Sequence, residues 1–100
     1  MKISFADSAL DDLEEIKEYY LEQGVSDKGE NFVITIFEYV ESLIDHPDIG
    51  RIAPEFNEEH ILELIHPPFR IVYLRGKKSI QISRVWRSER LLSLSDDDEG

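Results

Sequence analysis

The sequence predicts an α+β fold, a two-layer sandwich in the order β-α-α-β-β-β. Three observations carry that prediction. Two segments in the first half repeat their apolar residues at spacings of three and four, the period of a helix face. Three runs in the second half are rich in β-branched and aromatic residues, as strands are. The length of 100 residues suits one domain, and a chain of this size buries roughly two-thirds of its unfolded surface, enough for a single core.

The elements follow in order. Lys2 to Phe5 reads as a short strand, with Ile3 and Phe5 on one face. In "ADSALDDLEEIKEYYLEQG" Leu10, Leu13, Ile16, Tyr20 and Leu21 take helical spacing. Asp7 or Ser8 is the candidate N-cap, acids crowd the first turns, and Gly24 is the stop signal. The second helix starts with Asp27 and Glu30 at capping-box spacing. It carries a stripe of Phe32, Val33, Ile36, Phe37, Val40, Leu43 and Ile44, and ends before Pro47. The short link between the helices implies an antiparallel helical hairpin. "HPDIGRIAPEFNEEH" reads as a loop, with two prolines and a glycine as punctuation.

Three strands are then predicted in "HILELI", "FRIVYLR" and "SIQISRVWR", the last two joined by a turn at "GKK". They form a three-strand antiparallel meander. In the last run Ile80, Ile82, Arg84 and Trp86 share one parity, and Gln81, Ser83 and Arg87 share the other. "SERLLSL" is read as a final helical turn. The simplest packing lays both helices on one face of an antiparallel sheet and leaves the other face partly open. Residues 1–92 are the expected domain, and residues 93–100 an acidic, disordered tail.

Composition removes several classes of function. The chain has no cysteine, so disulfides, thiol catalysis and thiolate metal sites are excluded. No two histidines have helical metal-ligand spacing, so neither a metal nor another cofactor is expected. The N-terminal "MKISFADSAL" has no apolar run of signal-peptide length, and no stretch approaches a membrane span. A cytoplasmic domain with no membrane contact is the expectation.

Charge is distributed unevenly. The formal net charge is −11, which argues against indiscriminate nucleic-acid binding. By segment it is −9 over residues 1–46, −3 over 47–60, +5 over 61–90 and −4 over the remaining tail. The bases of the positive segment are Arg70, Arg75, Lys77, Lys78, Arg84, Arg87 and Arg90.

Four phrases in this order resemble the RelE/ParE superfamily of toxins from bacterial type II toxin-antitoxin pairs. They are "SALDDLEEIKEYY", "HPDIGR", "FRIVY" and "SRVWRSERLL", and the match runs over roughly residues 2–92. The phrasing is closer to the ParE branch. The resemblance implies a toxin held inactive by an antitoxin whose C-terminal segment wraps it. DNA would then be bound only indirectly, through that antitoxin. ParE-like members poison DNA gyrase by binding, whereas RelE-like members cut messenger RNA in the ribosome. A third reading is an inactive relative that only forms complexes.

Cutting RNA at a 2′-hydroxyl needs a proton acceptor, a proton donor and cations for the phosphorane charge. RelE-like enzymes supply lysines on the second strand, arginines on later strands and often a tyrosine near the C-terminus. Arg70 matches one such arginine, and Arg87 or Arg90 lies near another. The second strand here has Glu63 and no lysine, and no tyrosine follows Tyr73. Arg87 also stands where ParE-like sequences often have histidine. Catalytic candidates are therefore Arg70, Arg87 and Arg90 only if the chain is a nuclease.

As contacts for a protein partner the candidates are Arg70, Arg75, Arg87, Arg90, Tyr39 and Tyr73. For Arg70 a pairing with a helix carboxylate, or packing flat along Tyr73, stands beside that reading. Arg51 is expected to tie its loop to the sheet, Arg84 to pair with a helix acid, and Trp86 to pack in the core. His46, His60 and His66 read as a helix-end residue and two solvated strand-flanking residues. Steering by the acidic helices predicts an antitoxin with a basic or amphipathic C-terminal segment.

Overall fold

In the computed structural model, residues 1–87 are described. Two helices and five strands form among them: β1 (Lys2–Phe5), α1 (Asp7–Glu22), α2 (Ser26–Ser42), β2 (Arg51–Ile52), β3 (Ile61–His66), β4 (Phe69–Arg75) and β5 (Ser79–Arg87). The predicted β-α-α-β-β-β order stands, with the short β2 added inside the segment read as a loop. Arg90 and the final "SERLLSL" turn lie outside the described residues, as does the acidic tail.

Neither helix is capped as the sequence suggested. The N-caps are Ala6 and Val25, and neither makes a side-chain cap hydrogen bond. Ser8 Oγ instead donates to the Ser83 carbonyl at 2.8 Å, tying α1 to β5. Gly24 does act as the stop: at φ +78° it occupies the left-handed region that glycine enters without steric cost. Gly24 N–H donates to Leu21 O and Val25 N–H to Tyr20 O, the paired bonds of a Schellman terminus. The second helix closes at Ser42, ahead of Pro47.

The sheet order is β1-β5-β4-β3-β2. β3, β4 and β5 form the predicted antiparallel meander. The sheet is nevertheless mixed, because β1 runs parallel to β5, with Phe5 opposite Ile82. The long helical hairpin makes this possible: it carries the chain across one face before the meander begins, as a parallel pairing requires. Both helices pack on that face. Ala9, Leu13, Ile16, Tyr20, Ile36, Val40 and Leu43 meet Leu62, Phe69, Ile71, Tyr73, Ile80, Ile82 and Val85 in one buried cluster.

One irregularity alters what the last strand presents. Tyr73 pairs with Ile82 but Val72 pairs with Arg84, so Ser83 is an extra residue in β5. Such a bulge shifts alternation by one position. Val85 consequently takes the core place opposite Ile71 that simple parity gives to Arg84, and the place that parity gives to Trp86 passes to Arg87. Trp86 lies outside the core cluster, half-buried on the face away from the helices. Arg87 turns instead to the helix face, opposite Phe69.

Candidate functional site, an arginine–carboxylate network on the helix-free face

The face away from the helices is not an open sheet surface. Glu63 comes from β3, Arg70 from β4, and both are buried, with 1% and 2% of their side chains exposed. Arg51 stands opposite Glu63 on β2, and Trp86 opposite Arg70 on β5. Parity explains the grouping, because cross-strand partners share a face.

The guanidinium of Arg70 is fully engaged. Its Nε donates to Glu63 Oε1, while Nη1 and Nη2 donate to the two carboxylate oxygens of Glu55. That forked pairing is the strong geometry for arginine and carboxylate. Glu63 accepts a second bond, at 2.5 Å, from Nε of the exposed Arg51. Two arginines and two carboxylates thus close into a neutral network. Hydrogen bonding to Glu55 first, then to Glu63, raises the Arg70 pKa further above its usual range. The bonds that Glu55 accepts from Arg70 hold its carboxyl below its ordinary value. Over the ring of Trp86 lie two guanidinium carbons, Arg70 at 5.3 Å and Arg84 at 5.0 Å from the centroid.

Glu55 is held over the sheet by local backbone structure. Phe56 N–H and Asn57 N–H both donate to the Ala53 carbonyl, so the chain turns tightly there, and Asn57 takes φ 50°. The buried Ala53 donates in turn to the Ile61 carbonyl at the start of β3.

The phrase "HPDIGR" is the other anchor of this region. Tyr73 Oη donates to the Pro47 carbonyl at 2.9 Å and accepts from Gly50 N–H at 3.1 Å. Burial raises the Tyr73 pKa, so the phenol stays protonated and able to donate. A Cβ on Gly50 would come within 2.6 Å of the Glu63 carbonyl and 2.7 Å of Tyr73 Oη. Only glycine lets the backbone approach this closely. Asp48 accepts from Arg75 Nε at 3.0 Å, and Arg51 closes the phrase on Glu63.

Towards the C-terminal end of β5 an ion pair joins α1 to the strand. Arg84 donates to both oxygens of the buried Asp12 at 2.8 and 2.9 Å, and Val85 N–H donates to the same carboxylate at 2.9 Å. The Arg84 pKa rises, chiefly from the bond to Asp12.

The structure distributes the predicted site residues over both faces. Tyr73 is completely buried, which corrects the expectation that its side chain meets a partner. Arg70 is almost as inaccessible, because two carboxylates already hold it. Trp86 is not a core residue, for the reason of register given above. Arg75 is largely covered and paired with Asp48. Tyr39 stays partly exposed, its ring 4.1 Å from that of His66. Arg87 lies on the other face, its guanidinium carbon 4.2 Å from the Tyr19 centroid. Sequence reasoning missed Glu55 and Asp12 as partners. Asp12 had a signal: it falls between Ala9 and Ile16 at spacings of three and four, on the apolar stripe. Among the described residues no cluster of His, Asp and Glu is suited to a metal ion, and no helix is long and apolar enough to cross a membrane.

Comparison with known proteins places this architecture. No curated protein sequence matches the chain. Among solved structures, a chain of the chromosomal ParDE toxin-antitoxin system from P. aeruginosa is similar, with a TM-score of 0.73 and 25% sequence identity. The similarity covers 87% of this chain and 95% of that one. The family described as "ParE toxin of type II toxin-antitoxin system, parDE" matches residues 3–92. With nearly the whole domain matched and the fold in agreement, the chain belongs to the ParE toxin family of type II toxin-antitoxin systems.

Proposed function

We propose that this family member acts in the cytoplasm as an inhibitor of DNA gyrase that works by binding, and that a cognate antitoxin neutralises it by wrapping its surface. It would hold the enzyme–DNA cleavage complex open and carry out no chemistry itself. The observation that carries this reading is the occupied guanidinium of Arg70. An RNA-cutting site needs free cations around the scissile phosphate. Here the arginine that stands at the matching place is bound by Glu55 and Glu63, and β3 offers no lysine. A phosphate approaching this network meets charge that is already balanced.

Purified gyrase tests the reading. Saturating amounts of the chain should block supercoiling and accumulate cleaved DNA. Normal supercoiling with no cleaved DNA would overturn it. Codon-positioned cuts in translated messages would replace it with the ribonuclease. The antitoxin half has a separate check: a small partner with a basic or amphipathic C-terminal segment should co-purify with the chain, and an acidic segment would contradict the steering argument.

A further inference from the structure

The helical hairpin is strongly acidic, yet one of its two bases stands over aromatic rings. Lys28 Nζ lies 5.7 Å from the Tyr20 centroid and 5.9 Å from that of Phe32. Lys28 makes no ion pair among the described residues. Arg87 enters the same region from β5 and lies over Tyr19 and Tyr20, at 4.2 and 5.4 Å. Between them is an open cleft of about 460 Å³ whose lining includes Tyr19, Tyr20, Gln23, Lys28, Phe32 and Arg87. Its rings are held by one another: Tyr20 and Phe32 are 5.3 Å apart, and Phe32 sits edge-on to the buried Phe69 at 4.9 Å.

The chemistry of the walls defines the occupant. Ring faces and the stem of Lys28 offer apolar surface, while the ammonium and the Gln23 amide offer donors to an anion. The anion has to be compact. A neighbouring cleft of about 240 Å³ shares Tyr19 and Arg87 but is walled by Asp12 and Glu15. A nucleic-acid strand carries a charge at every nucleotide and would run its next phosphates against those acids. One carboxylate beside one apolar side chain avoids that repulsion.

We propose that this cleft is a peptide-binding site that takes an acidic residue next to an aromatic or large aliphatic one, within the partner segment that wraps the toxin. The identity of that partner rests on the antitoxin reading above; the recognition chemistry does not. The overall charge of the segment would steer it to the acidic helices, and the single acidic residue would set its register at Lys28.

The test uses the full chain and a defined probe, so it does not require the antitoxin. N-acetyl-Glu-Phe-amide is titrated while the Lys28 side-chain signal and the Tyr19 and Phe32 ring signals are followed by NMR. Saturable shifts at all three are expected. Binding should weaken roughly two- to fivefold for the Gln-Phe probe, and by a similar factor for Lys28→Gln protein, as loss of one solvent-exposed ion pair implies. Lys28 is at the surface, so the variant should fold, and its unchanged spectrum away from the cleft checks this. Equal binding of the Glu and Gln probes, or no shift at the rings, would overturn the site. Tighter binding of adenosine monophosphate would overturn the peptide assignment. Should no antitoxin co-purify, the partner reading fails while the titration result stands.

Discussion

The two faces of the sheet bury side chains in opposite chemical ways. On the helix face, β4 contributes Phe69, Ile71 and Tyr73 to an apolar cluster closed by two amphipathic helices. On the other face it contributes Arg70, which is just as inaccessible but closed by Glu55 and Glu63. Apolar burial is tolerant of detail, because any well-fitting side chain of the right volume serves. The ionic side is not tolerant, because each charge depends on a named partner. The first face therefore specifies that the chain folds, and the second specifies where its loop and short β2 lie.

The largest expected effect comes from breaking the ionic face at its centre. Arg70→Ala leaves Glu63 buried with only the exposed Arg51, and removes the partner of Glu55. Loss of one member of a buried pair costs about 3–5 kcal/mol. Thermal unfolding should show a fall of well over ten degrees, at roughly 4–8 °C per kcal/mol for a domain of this size. The double variant Arg70→Met, Glu63→Leu should recover much of that loss. If it is no more stable than Arg70→Ala, the cost lies in packing and the contrast between the faces fails.

The matching cut on the apolar face is Ile71→Ala, with an expected cost of about 2–5 kcal/mol. No second substitution among charged residues should rescue it. The pair of experiments separates charge dependence from volume dependence on adjacent residues of one strand.

This contrast also explains what could be read in the sequence. Helix stripes and strand runs are periodic signals, and they located every long element. The "GKK" turn and the stop at Gly24 are local signals, and both hold in the structure. The network was less legible because its partners are far apart in the chain: Glu55 belongs to the loop before β3, and Arg70 to β4. The strand β2 has two residues, too few to show a period. The bulge at Ser83 left no mark in the alternation, so parity placed Trp86 on the wrong face. Asp12 was visible as a polar residue on an apolar stripe, but only the fold shows that it receives Arg84 and Val85 N–H.

A smaller effect should follow at the loop. Tyr73→Phe keeps the ring in the core and removes both bonds of its hydroxyl, to Pro47 O and from Gly50 N. The expected cost is about 1–2 kcal/mol. Amide exchange at Gly50 should speed up more than exchange at Ile71, because the phenol ties the loop and not the strand. Uniform acceleration would mean that the hydroxyl supports the whole fold.

The smallest effect concerns acid. Glu55 is paired with Arg70 yet its side chain is 41% exposed, so its contribution is screened and should not exceed roughly 1 kcal/mol. Its carboxyl is held below the ordinary value, mainly by the hydrogen bonds from Arg70. A folded-state value below the unfolded one means that the charged form favours folding. That stability is complete above the unfolded pKa and is lost as pH falls through the folded one, so the window lies below about pH 4.5. Glu55→Gln should lower the urea midpoint at neutral pH, and the gap to the parent chain should close as the solution is acidified through that window. A gap that stays constant to low pH would assign the loss to the shape of the Ala53–Asn57 turn. The network would then owe its position to backbone structure, and the two faces would differ less than their side chains imply.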